Sequence, residues 1–305
     1  MNREITEQVY LLGQRRSLVA ILTRSCAIAS NRNPAVVILN TGIVHRVGHH
    51  RMYVALSRQL ARIGFNVLRF DLSGIGDSEP RTEGLSPLDS SLADIQEVLD
   101  WLEQERGTSQ VVLIGLCSGA DHAILHSHGD PRVVALVLMD PSIPTTARFY
   151  AQYILQRATR LRSYVSVAIG RSSLVRLWIR DILHGRKECA DMRPSSLENL
   201  RFHDYLKQSY RNVINNGVQI LAVFTGDTLR QTYREQMLDA FPDIVFGDRL
   251  KLEFFEGTDH VFTSQADRAR LFEIILAWIC SLNGSMDVRP PASEGNSLSP
   301  ASSAS

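Results

Sequence analysis

An α/β fold on a mostly parallel, eight-stranded sheet is what this sequence predicts, and three observations predict it. Short β-rich apolar runs alternate with amphipathic stretches along most of the chain. Several of those runs are Val, Ile or Leu at nearly every position, as strands covered on both faces must be. The composition of the 305 residues, 44% apolar and 21% charged, is that of an ordinary globular protein with room for one large domain and an insertion.

The strands are read at 9–12, 18–23, 36–40, 67–71, 111–116, 133–139, 218–224 and 250–255. A short turn at 13–16 joins the first two, which predicts an antiparallel hairpin at one edge of the sheet. Tyr53, Leu56, Leu60 and Ile63 recur at helical spacing, and so do Leu92, Ile95, Leu99 and Leu102. Each set forms one apolar stripe to lay against the sheet. A last helix over 265–282 carries Leu271, Ile274, Ile275, Trp278 and Ile279 on a similar face.

Two segments break the alternation. Over 142–216 the pattern is helical with no convincing strand, which predicts an α-helical cap inserted in a core formed by 1–141 and 217–282. The tail, 283–305, is rich in Ser, Pro, Ala and Gly and buries too little apolar surface to offset its ordering entropy, so it is expected to be disordered.

Bulk chemistry narrows the function. A net charge of +1 gives no whole-molecule field for nucleic acid. Four scattered cysteines, Cys26, Cys117, Cys189 and Cys280, form no CxxC pair, so neither a structural zinc site nor a small disulfide framework is expected, and no cofactor is implied. The start of the chain lacks a signal-peptide pattern and no uncharged apolar run nears membrane-spanning length; a cytoplasmic protein with free thiols is the expectation.

The chemistry-bearing motif is Gly115–Leu116–Cys117–Ser118–Gly119, placed between a strand and a helix. A sharp strand-to-helix turn needs small residues two positions either side of its centre and presents the middle side chain at a helix N-terminus. There the helix dipole favours a thiolate, the reactive form of cysteine. A buried, inert Cys117 and a nucleophilic Ser118 are the competing readings; the turn's geometry presents the middle residue, leaving the Ser118 N–H as an oxyanion donor.

With this motif in place the sequence resembles the α/β-hydrolases, whose order is nucleophile, acid, histidine. The resemblance covers about 9–282 and is nearest to the serine-aminopeptidase-like or lysophospholipase-like group. The Cys elbow with Arg69–Phe70–Asp71–Leu72 is also similar to hydrolases found beside exosortase-type exopolysaccharide systems. Thr225–Gly226–Asp227 resembles the family's acid turn, and Glu256–Gly257–Thr258–Asp259–His260 its histidine loop. The resemblance implies Cys117 as nucleophile, His260 as base and Asp227 as orienting acid, with Asp140, after the preceding strand, as the alternative acid. Asn40–Thr41–Gly42–Ile43 stands where the family carries a His-Gly oxyanion motif, without the histidine. Ile43 N–H, or that of Gly42, is the implied second donor. Asp71–Leu72–Ser73–Gly74–Ile75–Gly76–Asp77–Ser78 matches a structural turn of the family rather than a phosphate loop.

Sulfur shapes the expected reaction. Acyl-Cys117 would be a thioester, open to exchange with acyl-CoA or an acyl-carrier protein and to attack by a small-molecule acceptor or water. An acyl-transfer enzyme, thioesterase or acyltransferase, is the leading reading. A carboxylester or lactone hydrolase and a non-catalytic binding protein are the alternatives. The segment 142–216 holds 11 Arg and 2 Lys against 5 acidic residues, +8 within a chain of +1. Such a lid would steer an acidic carrier or a CoA phosphate, be merely solvated, or rest on a membrane surface. His45, Arg46, His49, His50 and Arg51 are expected to add charge at the same mouth, with Gly42 and Arg46 as candidate substrate contacts.

Overall fold

The computed structural model describes residues 4–26, 33–144, 146, 148–149, 197–226, 231 and 233–282. Most of the expected cap, the whole expected tail, Asp227 and Cys189 lie outside the described residues.

All eight strands form. In chain order they are β1 (Ile5–Leu12), β2 (Leu18–Ser25), β3 (Ala35–Ile38), β4 (Val67–Phe70), β5 (Val111–Leu116), β6 (Val133–Met139), β7 (Gln219–Thr225) and β8 (Leu250–Phe255). One sheet contains them in the order β1-β2-β4-β3-β5-β6-β7-β8. The β1–β2 and β2–β4 pairs are antiparallel and every other pair is parallel. β3, β4, β5 and β6 are buried at every position, which is why their sequences read as unbroken apolar runs.

Helices cover both faces. α1 (Met52–Arg62) and α6 (Gln265–Leu282) pack on one side through Tyr53, Leu56, Leu60, Leu271, Ile275 and Ile279, against Val36, Val112, Ile114, Val137 and Leu221 of the strands. α2 (Pro87–Arg106), α3 (Ser118–Ser127) and α4 (Leu197–Asn215) share the other apolar layer, with Ile95, Leu99, Ala123, Ile124 and Tyr210 against Val37, Leu113, Leu136 and Ile220. A short α5 (Gln236–Ala240) precedes β8 and contributes Met237 to that layer. Full burial of each such aliphatic side chain contributes of the order of 1.5–3 kcal/mol.

Helix boundaries follow local chemistry. Ser86 caps α2 by accepting the Asp89 N–H, Pro87 follows at the first helical position, and Gly107 ends the helix in a left-handed conformation. Ile63 lies just past the end of α1 and is 42% exposed, so the stripe expected through it stops at Leu60. Among the described residues no helix is long and apolar enough to cross a membrane.

The parallel strands set the address of the site. The loops after β3, β5 and β6 and the turn after β8 all leave from the carboxyl ends of parallel neighbours, where α/β sheets gather their reactive groups.

Candidate active site

Cys117 is the residue between β5 and α3, at φ 55° and ψ −121°. Its N–H donates to Met139 O at 2.9 Å, and its carbonyl accepts from Ala120 and Asp121 N–H at 2.9 and 3.1 Å. The flanking glycines allow the approach. A Cβ on Gly115 would stand 2.2 Å from the Gly119 carbonyl, and one on Gly119 would stand 2.4 Å from Asn40 O. No real side chain tolerates either distance, so the GxCxG spacing is a packing requirement as well as a motif.

The Cys117 thiol is partly exposed and packs at the edge of the α1/α6 layer. Its pKa is lowered, first by a hydrogen bond with the His260 side chain; burial opposes this, and the Ser118 N–H assists. Asp121, in the first turn of α3, pushes the other way by charge repulsion. His260 is raised to about 10, chiefly by its hydrogen bond with Asp140 and next by that with Cys117, against the effect of burial. The Cys117–His260 interaction moves the two groups in opposite directions, lowering the thiol and raising the imidazole, while Asp140 adds to the rise of His260.

The acid against the imidazole is Asp140, whose carboxylate lies 2.7 Å from His260 Nδ1. Asp140 follows β6 directly, is buried and adopts φ 44°. Thr225, the last residue of β7, donates its N–H (2.8 Å) and hydroxyl (2.6 Å) to the two carboxylate oxygens. The expectation of Asp227 as orienting acid therefore gives way to the alternative, since the Nδ1 position is filled by Asp140; Asp227 itself lies outside the described residues. Asp259 turns inward on its own loop, accepting the Val261 and Thr263 N–H groups, each at 3.0 Å.

The loop after β3 approaches the start of α3. Gly42 N–H donates to Ser118 Oγ at 2.7 Å, which ties the loop to the helix and leaves Ile43 as the remaining candidate donor beside Ser118 N–H. The Ile43 side chain is 92% exposed, and the turn is closed by Val44 N–H to Thr41 O at 2.9 Å. Ser118 contributes a backbone donor and a loop tether, in keeping with Cys117 as the presented residue.

Two residues to which motif reading gave no role hold this loop, and a third holds Asp140. Asn40 is buried, donating to Val44 O at 2.9 Å and accepting Leu72 N–H at 2.8 Å. Tyr53 of α1, counted in the sequence as one apolar position of a stripe, hydrogen-bonds Thr41 Oγ1 at 2.5 Å; burial lifts its pKa to about 12. Thr225 is the third. Asn40 and Thr225 stood inside recognised motifs without a role of their own, and Tyr53 stood only in a helix stripe.

Arg46 is not a free cation at the mouth. Its guanidinium pairs with Asp71 and Asp77, and its N–H donates to Asp71. Two carboxylates from the turn after β4 hold it. His49 is half-buried with its pKa lowered, first by burial and then by His50 and His260, which favours the neutral ring over the expected charge. His50 Nε2 lies 3.4 Å from Thr263 Oγ1, joining this loop to that of His260. Among the described residues no group of His, Cys, Asp or Glu is arranged to hold a metal ion.

Fold and site together define an α/β-hydrolase enzyme. Solved structures of similar fold include a serine hydrolase homologue from Coxiella burnetii (15% identity, 91% of this chain and 97% of that one, TM-score 0.53). A haloalkane dehalogenase loop variant from Bradyrhizobium elkanii is another (12%, 93% and 99%, 0.56). An esterase from Pyrococcus furiosus is a third (15%, 91% and 91%, 0.52). No significant match is found among curated proteins. The family model described as "Serine aminopeptidase, S33" matches residues 33–192, just over half of the chain, and the chain belongs to that family. The elbow residue of this member is nevertheless a cysteine.

Proposed function

We propose that the protein is an acyl-transfer enzyme, a thioesterase or acyltransferase, that forms an acyl-Cys117 intermediate from an acyl thioester or activated ester. The observation that carries the proposal is the Cys117–His260–Asp140 chain, in which a lowered thiol pKa stands against a raised imidazole pKa and a buried carboxylate.

The first half-reaction starts from the thiolate. Sγ attacks the acyl carbonyl carbon, the carbonyl oxygen gains the electron pair, and Ser118 N–H with Ile43 N–H stabilises that charge. Collapse breaks the bond to the leaving group, which takes the proton held on His260. In the second half the acceptor, water or a small nucleophile, gives its proton to His260 and attacks the thioester carbonyl, and Cys117 leaves as thiolate. Asp140 keeps the imidazole in the orientation and tautomer that serve both transfers.

Sulfur supports thioester donors, because a thiolate exchanges readily with them. The +8 segment over 142–216 supports a donor carrying phosphate or an acidic protein, such as acyl-CoA or an acyl-carrier protein. Incubation with acyl-CoA and acyl-carrier substrates should add one acyl mass to the protein and none to Cys117→Ala; equal labelling of both overturns the proposal.

Membership of a hydrolase family favours a second reading, hydrolysis of carboxylesters or lactones with water as acceptor. It predicts turnover of simple activated esters that Cys117→Ala abolishes. Complete inertness toward them, alongside acylation from thioesters, leaves only the first reading.

A further inference from the structure

We propose that the Tyr53 hydroxyl is a positioning group for the oxyanion site, joining the loop after β3 to the end of β5 so that the donors on the two elements keep a fixed separation. The role rests on the acyl-Cys117 reading above, which leaves the placement of those donors unassigned.

Tyr53 lies in the first turn of α1 and is buried in the layer that also holds Leu116 and, at its edge, Cys117. Its ring packs there as any large apolar group does, whereas its hydroxyl needs a polar partner. That partner is Thr41 Oγ1, itself buried and 2.5 Å away. Burial lifts the phenol to about 12; Thr41 and the Leu116 N–H act on the same oxygen in the opposite sense, and the charge on Cys117 adds to the rise. The hydroxyl therefore stands among Thr41, Leu116 and Cys117, between the two chain segments that meet at the sulfur.

Those segments carry the two donors. Thr41 opens the turn that contains Ile43, its carbonyl accepting Val44 N–H at 2.9 Å. Leu116 ends β5, and Ser118 follows two residues on. The base of the loop is tied elsewhere, through Asn40 and Arg46 to Asp71. A second tie to the elbow, Gly42 N–H to Ser118 Oγ, is exposed to water. The Tyr53–Thr41 bond lies in the interior, where a hydrogen bond is stronger and costlier to leave unmade.

The ring has no room to drift. A Cβ on Gly48 would stand 2.7 Å from Tyr53 Cγ, so the far end of the loop lies directly on the ring. Tyr53 N–H donates to Val47 O at 3.2 Å, and Tyr53 O accepts the Ser57 hydroxyl at 2.6 Å. Packing thus sets the hydroxyl, and the loop follows the hydroxyl. An oxyanion donor acts only at hydrogen-bonding distance from the developing charge, so a small displacement costs rate rather than affinity.

Tyr53→Phe keeps the ring and removes the oxygen. In single-turnover acylation of Cys117 by p-nitrophenyl acetate and by acetyl-CoA, its maximal rate should fall by about tenfold to a hundredfold, with half-saturation within about twofold of wild type. Iodoacetamide reacts with the same sulfur by displacement at a saturated carbon and forms no oxyanion, so the alkylation rate and its pH midpoint should stay at wild-type values. Thr41→Val removes the other half of the bond and should give the same split; the double variant should be no slower than either single one. Where Tyr53→Phe does not fold, Thr41→Val decides. Wild-type acylation in these variants overturns the inference alone. Alkylation falling together with acylation also overturns it, by placing the effect at the thiol or on the fold. Wild type that acylates with neither reagent overturns the acyl-Cys117 reading and this role with it.

Discussion

Cys117 holds φ 55°, a conformation that costs a non-glycine residue of the order of 1–3 kcal/mol, and the strand-to-helix turn maintains it. Its thiol pKa is lowered first by the His260 side chain, and the Ser118 N–H at the start of α3 contributes less. The rate of iodoacetamide alkylation against pH should show a midpoint below the ordinary thiol value of about 8.5. Removing the imidazole in His260→Ala leaves burial as the dominant influence, so the midpoint should rise above that value. The rate at neutral pH should then fall by at least about tenfold. An unchanged profile would sink the ion-pair reading. Asp140→Asn should lower turnover by about ten-thousand-fold while the fold persists, as removal of a triad acid does elsewhere. Asp227→Asn should change it little; the reverse ranking would return the acid to Asp227.

At the scale of elements, the carboxyl ends of the β-strands assemble the site from pieces distant in sequence. β5 leads into Cys117, β6 into Asp140, β7 ends on Thr225, which donates to Asp140, and the turn after β8 carries His260. The loop after β3 reaches α3 through Gly42 and Ser118, while Asn40 O lies against Gly119. Gly119→Ala would force α3 away from that carbonyl and should destabilise the protein by about 1–3 kcal/mol, read as a lower urea midpoint. A midpoint equal to wild type would mean that the contact relaxes freely. Element boundaries were legible because they follow local rules, as with Ser86–Pro87 and Gly107 around α2. The acid was not: two adjacent parallel strands each lead into an Asp, and strand order alone left both open.

Over the whole molecule, charged ties join the turns to the sheet, and one of them sits just before β6. Asp130, in the turn before β6, is pushed up by burial. Hydrogen bonds from His126 and Arg132 more than offset this and hold it well below the usual carboxylate range. A depressed carboxylate contributes stability that is present above its unfolded pKa of about 3.9 and is lost as pH falls toward the folded value. Chemical unfolding from pH 7 to pH 2 should therefore show wild type losing more stability on acidification than Asp130→Asn does. Parallel losses in the two proteins would mean that the turn contributes nothing to acid stability.

The sequence by itself determined the architecture and singled out Cys117 and His260 as the proposed nucleophile and base. Strand runs, helix stripes and the glycines around Cys117 obey constraints that act over a few residues, and His260 follows the final strand in chain order. Tertiary structure decided which carboxylate meets His260 Nδ1, and it set Arg46 into a pair of aspartates and Tyr53 against Thr41 in the loop after β3. Those outcomes depend on which side chains converge from separate elements within hydrogen-bonding distance, a property of the folded sheet that no local spacing encodes.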